Sequence, residues 1–467
     1  MAFSDLFFPF VFLPISLLLY AVTPKKVKNV VLLLCSLVFF AWGTPEYLLL
    51  MLCSILVNYF AGWELHLNVE RPARAKVVLT VTTVLNLLLL GFFKYYGFLL
   101  ENLNALLGTS IPVRTLPAPI GLSFYTFTLL SYLFDVYRGK APMQKNLFRF
   151  SLYVTFFPKL VSGPIIQYAD MEEQLSGRSL QWKQIGEGAR LFIVGLGEKV
   201  LLANMLGTPF YALSGIGAAS LSTCGAWIGC LCYSLMLYFD FSGYSDMAVG
   251  VAKMFGYELP KNFDYPYLSG SVSEFWRRWH ITLGAWFRDY VYIPLGGSRE
   301  GAGKTVRNLL IVWLLTGLWH GANWTFLVWG VYYGLLLVLE KFVFRRVLEH
   351  IPGFFKHLLT LLLVMIGWVF FFSDSLPEAL RWIGRMFSFG SVGFLDGTAK
   401  YYFASCWKLL LCGVIACLPA GSRLGSVVYR KGKGAVAISA AYFLLILVLC
   451  IASMMNDTYS SFLYFQF

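Results

Sequence analysis

The chain has 467 residues, 58% of them hydrophobic and 13% charged, with a mean hydropathy of +0.68. Soluble domains carry about 25% charged residues, so the composition excludes a soluble globular protein and describes a polytopic membrane protein. The net charge of +13 comes from clusters in the connections between apolar runs, such as Lys25, Lys26 and Lys28, Arg71, Arg74 and Lys76, and Arg345 and Arg346. No single basic patch exists, which speaks against a nucleic-acid partner, and the clusters mark cytoplasmic loops under the positive-inside rule.

Apolar runs cover the chain end to end, so 1–467 reads as one all-α membrane domain. The nine cysteines lie mostly in those runs, with no CxxC pair and no ligand spacing around any histidine. They read as small core hydrophobes, and neither metal nor redox chemistry is expected. The first stretch, MAFSDLFFPFVFLPISLLLYAV, has no basic leader region and no small-residue cleavage site. It is expected to be an uncleaved span with its N-terminus outside. Spans are predicted at 29–42, 47–62 and 77–98, then a proline-bearing loop over 100–119.

The next segment, IGLSFYTFTLLSYLFDVYRG, carries Ser123, Tyr125, Thr126, Thr128, Ser131, Tyr132 and Asp135. Seven polar side chains are too many for a lipid-facing helix and need partners inside the protein or a water-filled cavity. FFPKLVSGPI (156–165) is broken by proline and glycine and reads as re-entrant, and 166–186 as a polar loop. Spans follow at 189–205 and 226–240. YFDFSGYSDMAVGVAKMFGY then sets Asp240 and Asp246 in an apolar run, with Lys253 or the arginines further on as available partners.

The stretch from 271 to 323 holds two of the five histidines. Ser271 with Glu274 forms a capping box, so an amphipathic helix starts there. Glu274, Arg277, Arg278 and Arg288 share one arc of it. Phe275, Trp276, Trp279, Leu283, Trp286 and Phe287 cover the other side, with His280 at the edge. Such a helix belongs at a membrane surface. From 309 to 319 there is no charge, and then comes His320. Trp313, Thr316 and His320 share a helix face. If the helix enters the bilayer near Arg307, His320 lies roughly 20 Å deep in a hydrocarbon core of about 30 Å. An ionisable group at that depth is a functional-site candidate, and burial favours the neutral imidazole that a general base requires. Further spans are predicted at 325–339, 358–372, 406–418 and 436–454. The segment 373–403 is expected outside, 419–434 is a basic cytoplasmic loop, and the tail NDTYSSFLYFQF lies outside.

The quoted segments, together with NFDYPYLSGSVSEFWRRWHITLGAWFRDYVYIPLGG and TGLWHGANWTFLVWGVYYG, closely resemble the membrane-bound O-acyltransferase (MBOAT) family and its bacterial alginate O-acetyltransferase branch. The resemblance implies an all-α ring of about 11–13 membrane helices, thinned at the centre, in a bacterial plasma membrane. His320, in LWHGANW, matches the family's near-invariant histidine, and His280, in the RRWH block, its second. No bound cofactor is implied, the donor being an acyl-CoA or acyl-carrier thioester on the cytoplasmic side. On this reading His320 takes the proton of the attacking hydroxyl, and His280 orients the donor or shuttles the proton. Arg277, Arg278 and Arg288 hold an anionic donor, and Asn323 and the Trp324 indole, close to His320 in sequence, are the candidate donors to the oxyanion. The ending FLYFQF resembles a motif of the branch, in which Tyr464 either relays the acyl group or serves with Phe462 and Phe467 as an interfacial anchor. An extracytoplasmic SGNH-type acetyltransferase is the implied partner. Teichoic-acid D-alanyl transfer shares these motifs and stays open. A transporter, the alternative of another class, would bring repeated halves and paired broken helices, which the sequence does not show.

Overall fold

A computed structural model describes residues 1–114, 117–178, 180–388, 392–419 and 432–456. The described residues contain helices and no strand. Among the described residues, eight helices are long and apolar enough to cross a membrane, and a shorter apolar helix runs over Phe8–Val22. The chain divides into two compact units, Met1–Phe192 with Met247–Pro260, and Ile193–Asp246 with Lys261–Phe467.

In the first unit a π-helix over Phe8–Phe12 leads into α1 (Leu13–Val22). Pro14 has no N–H for the carbonyl one turn earlier, and the helix widens just ahead of it. Then come α2 (Lys28–Gly43), α3 (Leu48–Leu67) and α4 (Pro72–Leu107). Asn58 and Asn86 exchange amide hydrogen bonds between α3 and α4, at 3.1 and 2.8 Å. The loop expected from residue 100 is helix to Leu107, because Leu99, Leu103, Leu106 and Leu107 keep the helical period. Gly108, at φ 65°, ends it in the left-handed conformation that glycine adopts without strain.

Helix α5 (Leu122–Tyr137) is the polar segment, and it is buried as its composition required. Thr128 and Ser131 donate to carbonyls one turn back, and Asp135 Oδ2 accepts from the Ala169 amide at 3.0 Å. After α6 (Leu147–Thr155), the expected re-entrant stretch forms a single turn, α7 (Phe157–Leu160), and then irregular chain. Every residue from 150 to 168 is buried, the condition under which irregular backbone is tolerated at membrane depth. Lys159 Nζ donates to Thr128 Oγ1 at 3.2 Å and sits 4.1 Å from the Tyr153 ring centroid.

The predicted loop 166–186 instead contains α8 (Tyr168–Ser176), which buries Tyr168, Met171 and Leu175 at helical spacing. Helices α9 (Trp182–Gly197) and α11 (Thr223–Met254) each run from one unit into the other. Within the first unit a Cβ on Gly250 would lie 2.6 Å from the Gly188 carbonyl oxygen. Within the second, one on Gly243 would lie 2.5 Å from that of Gly195. Small residues let the two backbones approach.

The second unit continues from α9 through a π-helix over Glu198–Ala203 into α10 (Asn204–Ile216). The Lys199 ammonium pairs with the Asp240 carboxylate, both side chains being buried. Ser242 Oγ donates to Glu198 Oε2 at 2.5 Å. Lys253, one of the partners expected from sequence for this segment, pairs with Glu187 at 2.6 Å in the first unit.

The rest comprises α12 (Val272–Arg278), α13 (Ile281–Phe287), α14 (Ala302–His320), α15 (Trp324–Phe342), α16 (Arg345–His350), α17 (Gly353–Phe372), α18 (Leu376–Phe387), α19 (Gly397–Ala416) and α20 (Gly432–Asn456). Helix α18 lies inside the connection expected over 373–403. Ser375 caps it, and Ala379, Trp382 and Met386 form its buried stripe. Residues 420–431 and the tail 457–467, with Tyr464, lie outside the described residues.

Candidate active site

The single amphipathic helix expected from Ser271 is two seven-residue helices, α12 and α13, followed by a π-helical turn over Arg288–Tyr292. The cap is present. Ser271 Oγ accepts from the Glu274 amide at 3.1 Å, while the Glu274 carboxylate reaches back to the Gly270 amide at 2.9 Å. The Glu340 carboxylate accepts from the amides of Val272 and Ser273, so the free donors of the first turn are satisfied. His280 breaks the helix. Its backbone is left-handed, φ 45° and ψ 52°, which only one other non-glycine residue, Tyr265, approaches among the described residues. That conformation is strained for a residue with a Cβ and persists only where the surroundings impose it.

Asn262 imposes it. Its carbonyl accepts from the Ile281 amide at 2.9 Å, and Asp264 donates its amide to Arg278 at 2.9 Å. The Asn262 side-chain oxygen accepts from Thr282 N at 3.2 Å and Thr282 Oγ1 at 2.9 Å, and stands 3.1 Å from His280 Nδ1. A backbone amide only donates, so the side-chain atom facing Thr282 is the oxygen. His280 Nδ1 must then carry its hydrogen, and Nε2 holds the basic lone pair. Asn262 Nδ2 has no hydrogen-bond partner among the described residues. His280 lies outside every candidate span. It is 2% exposed, and burial pushes its pKa down to about 3, so the ring is neutral. It meets Phe241 edge-on at 4.7 Å.

His320 is the last residue of α14 and is buried with Trp313 and Thr316, the face expected from their spacing. Gly317 and Gly330 let α14 and α15 touch, a Cβ on Gly317 falling 3.3 Å from Gly330 Cα. This approach brings Trp329 to His320 at 4.9 Å, and α17 adds Phe371 at 5.3 Å. The Trp319 indole lies 5.0 Å from the His320 ring and 6.1 Å from that of His280. One side chain thus adjoins both imidazoles. Trp276, from α12, closes the aromatic wall against Trp313, Trp329 and Tyr333. The indole nitrogens of Trp276 and Trp329 have no acceptor among the described residues. An imidazole so placed is suited, in its neutral form, to take a proton from a hydroxyl. Unspent buried donors are suited to an oxyanion.

The other expected residues divide. Arg277 is exposed and forms no ion pair among the described residues. Arg278 is clasped by Glu274 and the Asp264 carbonyl, and Arg288 by Asp289. Asn323 caps α15, accepting from the Thr325 amide and donating to the Asp374 carbonyl, both at 3.0 Å. Its amide is engaged in fixing the turn after His320. Asn262, Trp319 and Trp329 were not singled out from sequence. The contact that gives Asn262 its place spans irregular chain, where no periodicity points to it.

Fold and site together define a polytopic helical membrane protein with two buried imidazoles in one aromatic cluster. Residues 141–376, which include both, match the membrane-bound O-acyltransferase family. A protein of Pseudomonas syringae pv. tomato named "Probable alginate O-acetylase AlgI" is 41% identical, over 84% of this chain and 76% of its own. One of the same name from Pseudomonas putida is 37% identical over the whole of both chains. A "Peptidoglycan O-acetyltransferase" of Helicobacter pylori is 35% identical over 84% of this chain and 80% of its own. The chain belongs to the membrane-bound O-acyltransferase family, and it is an O-acyltransferase of the alginate and peptidoglycan O-acetyltransferase type.

Proposed function

We propose that the protein moves an acetyl group from a cytoplasmic thioester, an acyl-CoA or acyl carrier, to hydroxyls of an extracytoplasmic polysaccharide. The observation that carries this reading is the pair of buried imidazoles flanking the Trp319 indole. His320 takes the proton of the acceptor hydroxyl as its oxygen adds to the thioester carbonyl. The tetrahedral oxyanion is met by buried N–H donors, for which Trp276, Trp329 and Asn262 supply unspent hydrogens. Collapse breaks the carbon–sulfur bond, and the thiolate leaves with the proton returned by the His320 imidazolium. His280 orients the donor through Nε2, and exposed Arg277 attracts an anionic donor. The basic connections set the cytoplasmic face, which puts the N-terminus outside in a bacterial plasma membrane. An SGNH-type acetyltransferase there completes delivery to the glycan. Relatives named for O-acetylation support acetyl over D-alanyl transfer.

The test is reconstitution in proteoliposomes with radiolabelled acetyl-CoA or acetylated carrier protein outside, and with alginate or peptidoglycan fragments and the SGNH-type acetyltransferase inside. Oriented protein is expected to label the enclosed glycan. Release of intact thioester inside, with no labelled glycan, would sink the proposal.

Asn262→Asp probes the site's internal order. A carboxylate facing Nδ1–H stabilises the imidazolium and raises the His280 pKa from its low value. The neutral ring is the working form, so the acidic limb of the kcat/KM profile is expected to move upward in pH, with activity retained above pH 8. A profile superimposable on that of the parent protein would show that His280 takes no part through Nε2.

A further inference from the structure

Within the first unit a cavity of about 420 Å³ opens between the ends of α1, α2 and α9, lined by Lys25, Lys28, Arg178, Leu180, Trp182 and Ile185. We propose that it binds the phosphate of an anionic phospholipid headgroup. Lys25 and Trp182 are the first residues of two candidate spans, so the cavity lies at the level where a bilayer's headgroups begin. Trp182 is 88% exposed there, and a large indole left open at a span's end suits an interfacial lipid contact. Leu180 and Ile185 supply apolar wall for the start of an acyl chain.

The cationic side is built rather than scattered. Arg178 donates to the Tyr20 hydroxyl at 3.0 Å, to the Gln174 carbonyl at 2.8 Å and to the Asn29 side-chain oxygen, and lies 3.8 Å from the Tyr257 ring centroid. These partners fix the guanidinium without neutralising it. Lys28 Nζ stands 4.7 Å from the ring centroid of Tyr20, the tyrosine whose hydroxyl holds Arg178. None of the three cations forms an ion pair among the described residues. The acids Asp170, Glu173 and Glu258 line a second hollow that shares Arg178, and none of them lines this cavity. Three cations, an exposed indole and apolar wall at a bilayer surface match a phosphodiester attached to acyl chains better than a free anion.

The experiment uses the purified full-length protein in detergent. Dioleoylphosphatidylglycerol, dioleoylphosphatidylcholine or inorganic phosphate is added, and bound ligand is read by native mass spectrometry. One phosphatidylglycerol per chain is expected at concentrations where phosphatidylcholine is not retained. Lys25→Glu with Lys28→Glu should weaken that retention by at least about thirty-fold. Lys26→Glu, a single reversal of charge at a neighbouring position outside the cavity, should weaken it far less. Should the paired reversal fail to fold, Lys25→Gln with Lys28→Gln carries the test in the same direction. Equal retention of the two lipids, or phosphatidylglycerol binding indifferent to both paired variants, would overturn the site. Inorganic phosphate binding that excludes phosphatidylglycerol would overturn its assignment to lipid.

Discussion

His320→Gln is expected to lower kcat for acetyl transfer by about 10²–10⁴-fold, the range that general-base catalysis supplies. Glutamine fills much of the imidazole's place between Trp329 and Phe371 and keeps a hydrogen bond, yet it cannot accept a proton near neutral pH. His320→Ala should lose activity to the same extent, with an added stability cost from the cavity it leaves. Thermal unfolding of the purified variants separates these effects. His280→Ala should cost less, because a ring that orients the donor alters KM together with kcat. Acetyl transfer at the parent rate in His320→Gln would remove that residue from the mechanism. An equal collapse of kcat in both histidine variants would show that the two share the proton-transfer step.

Asp240→Asn is expected to destabilise the protein by about 3–5 kcal/mol, because it removes the carboxylate that the buried Lys199 ammonium pairs with. Lys199→Met should do the same from the other side. The double replacement, Lys199→Met with Asp240→Leu, should recover most of the loss, since buried ion pairs are often replaceable by apolar residues of similar volume. A double-mutant cycle on thermal unfolding in detergent measures this. Additive losses would mean that the two side chains do not act as a pair. The readout is stability, so it stands whether or not the proposed chemistry is right.

Most of the helical architecture was legible because its signal is local. Apolar runs gave the spans, the seven polar residues of α5 announced a buried helix, and Ser271 with Glu274 marked the start of α12. The spacing of Trp313, Thr316 and His320 gave the correct buried face. The misreadings share a cause. Helix α8 is mostly polar, and only Tyr168, Met171 and Leu175 carry its period. The connection 373–403 hid α18 in the same way, behind Ala379, Trp382 and Met386. The pairing of Lys199 with Asp240 joins residues on separate spans, where spacing along the chain carries no information. The break at His280 was invisible because its flanking sequence keeps a good amphipathic period. What interrupts it is Asn262, a tertiary contact overriding local preference. The tail's role was read from motif alone, and Tyr464 falls outside the described residues.

The left-handed backbone at His280 has a consequence for anyone improving this enzyme. Glycine at this position would recover the roughly 1–2 kcal/mol that a side chain forfeits in the left-handed region. The ring it removes is 2% exposed, and the cavity left behind costs at least as much. Relief of the backbone and loss of packing therefore oppose one another at position 280, and His280→Gly should not emerge as a stabilising change from a screen for heat resistance. Gains in robustness are better sought away from that bend.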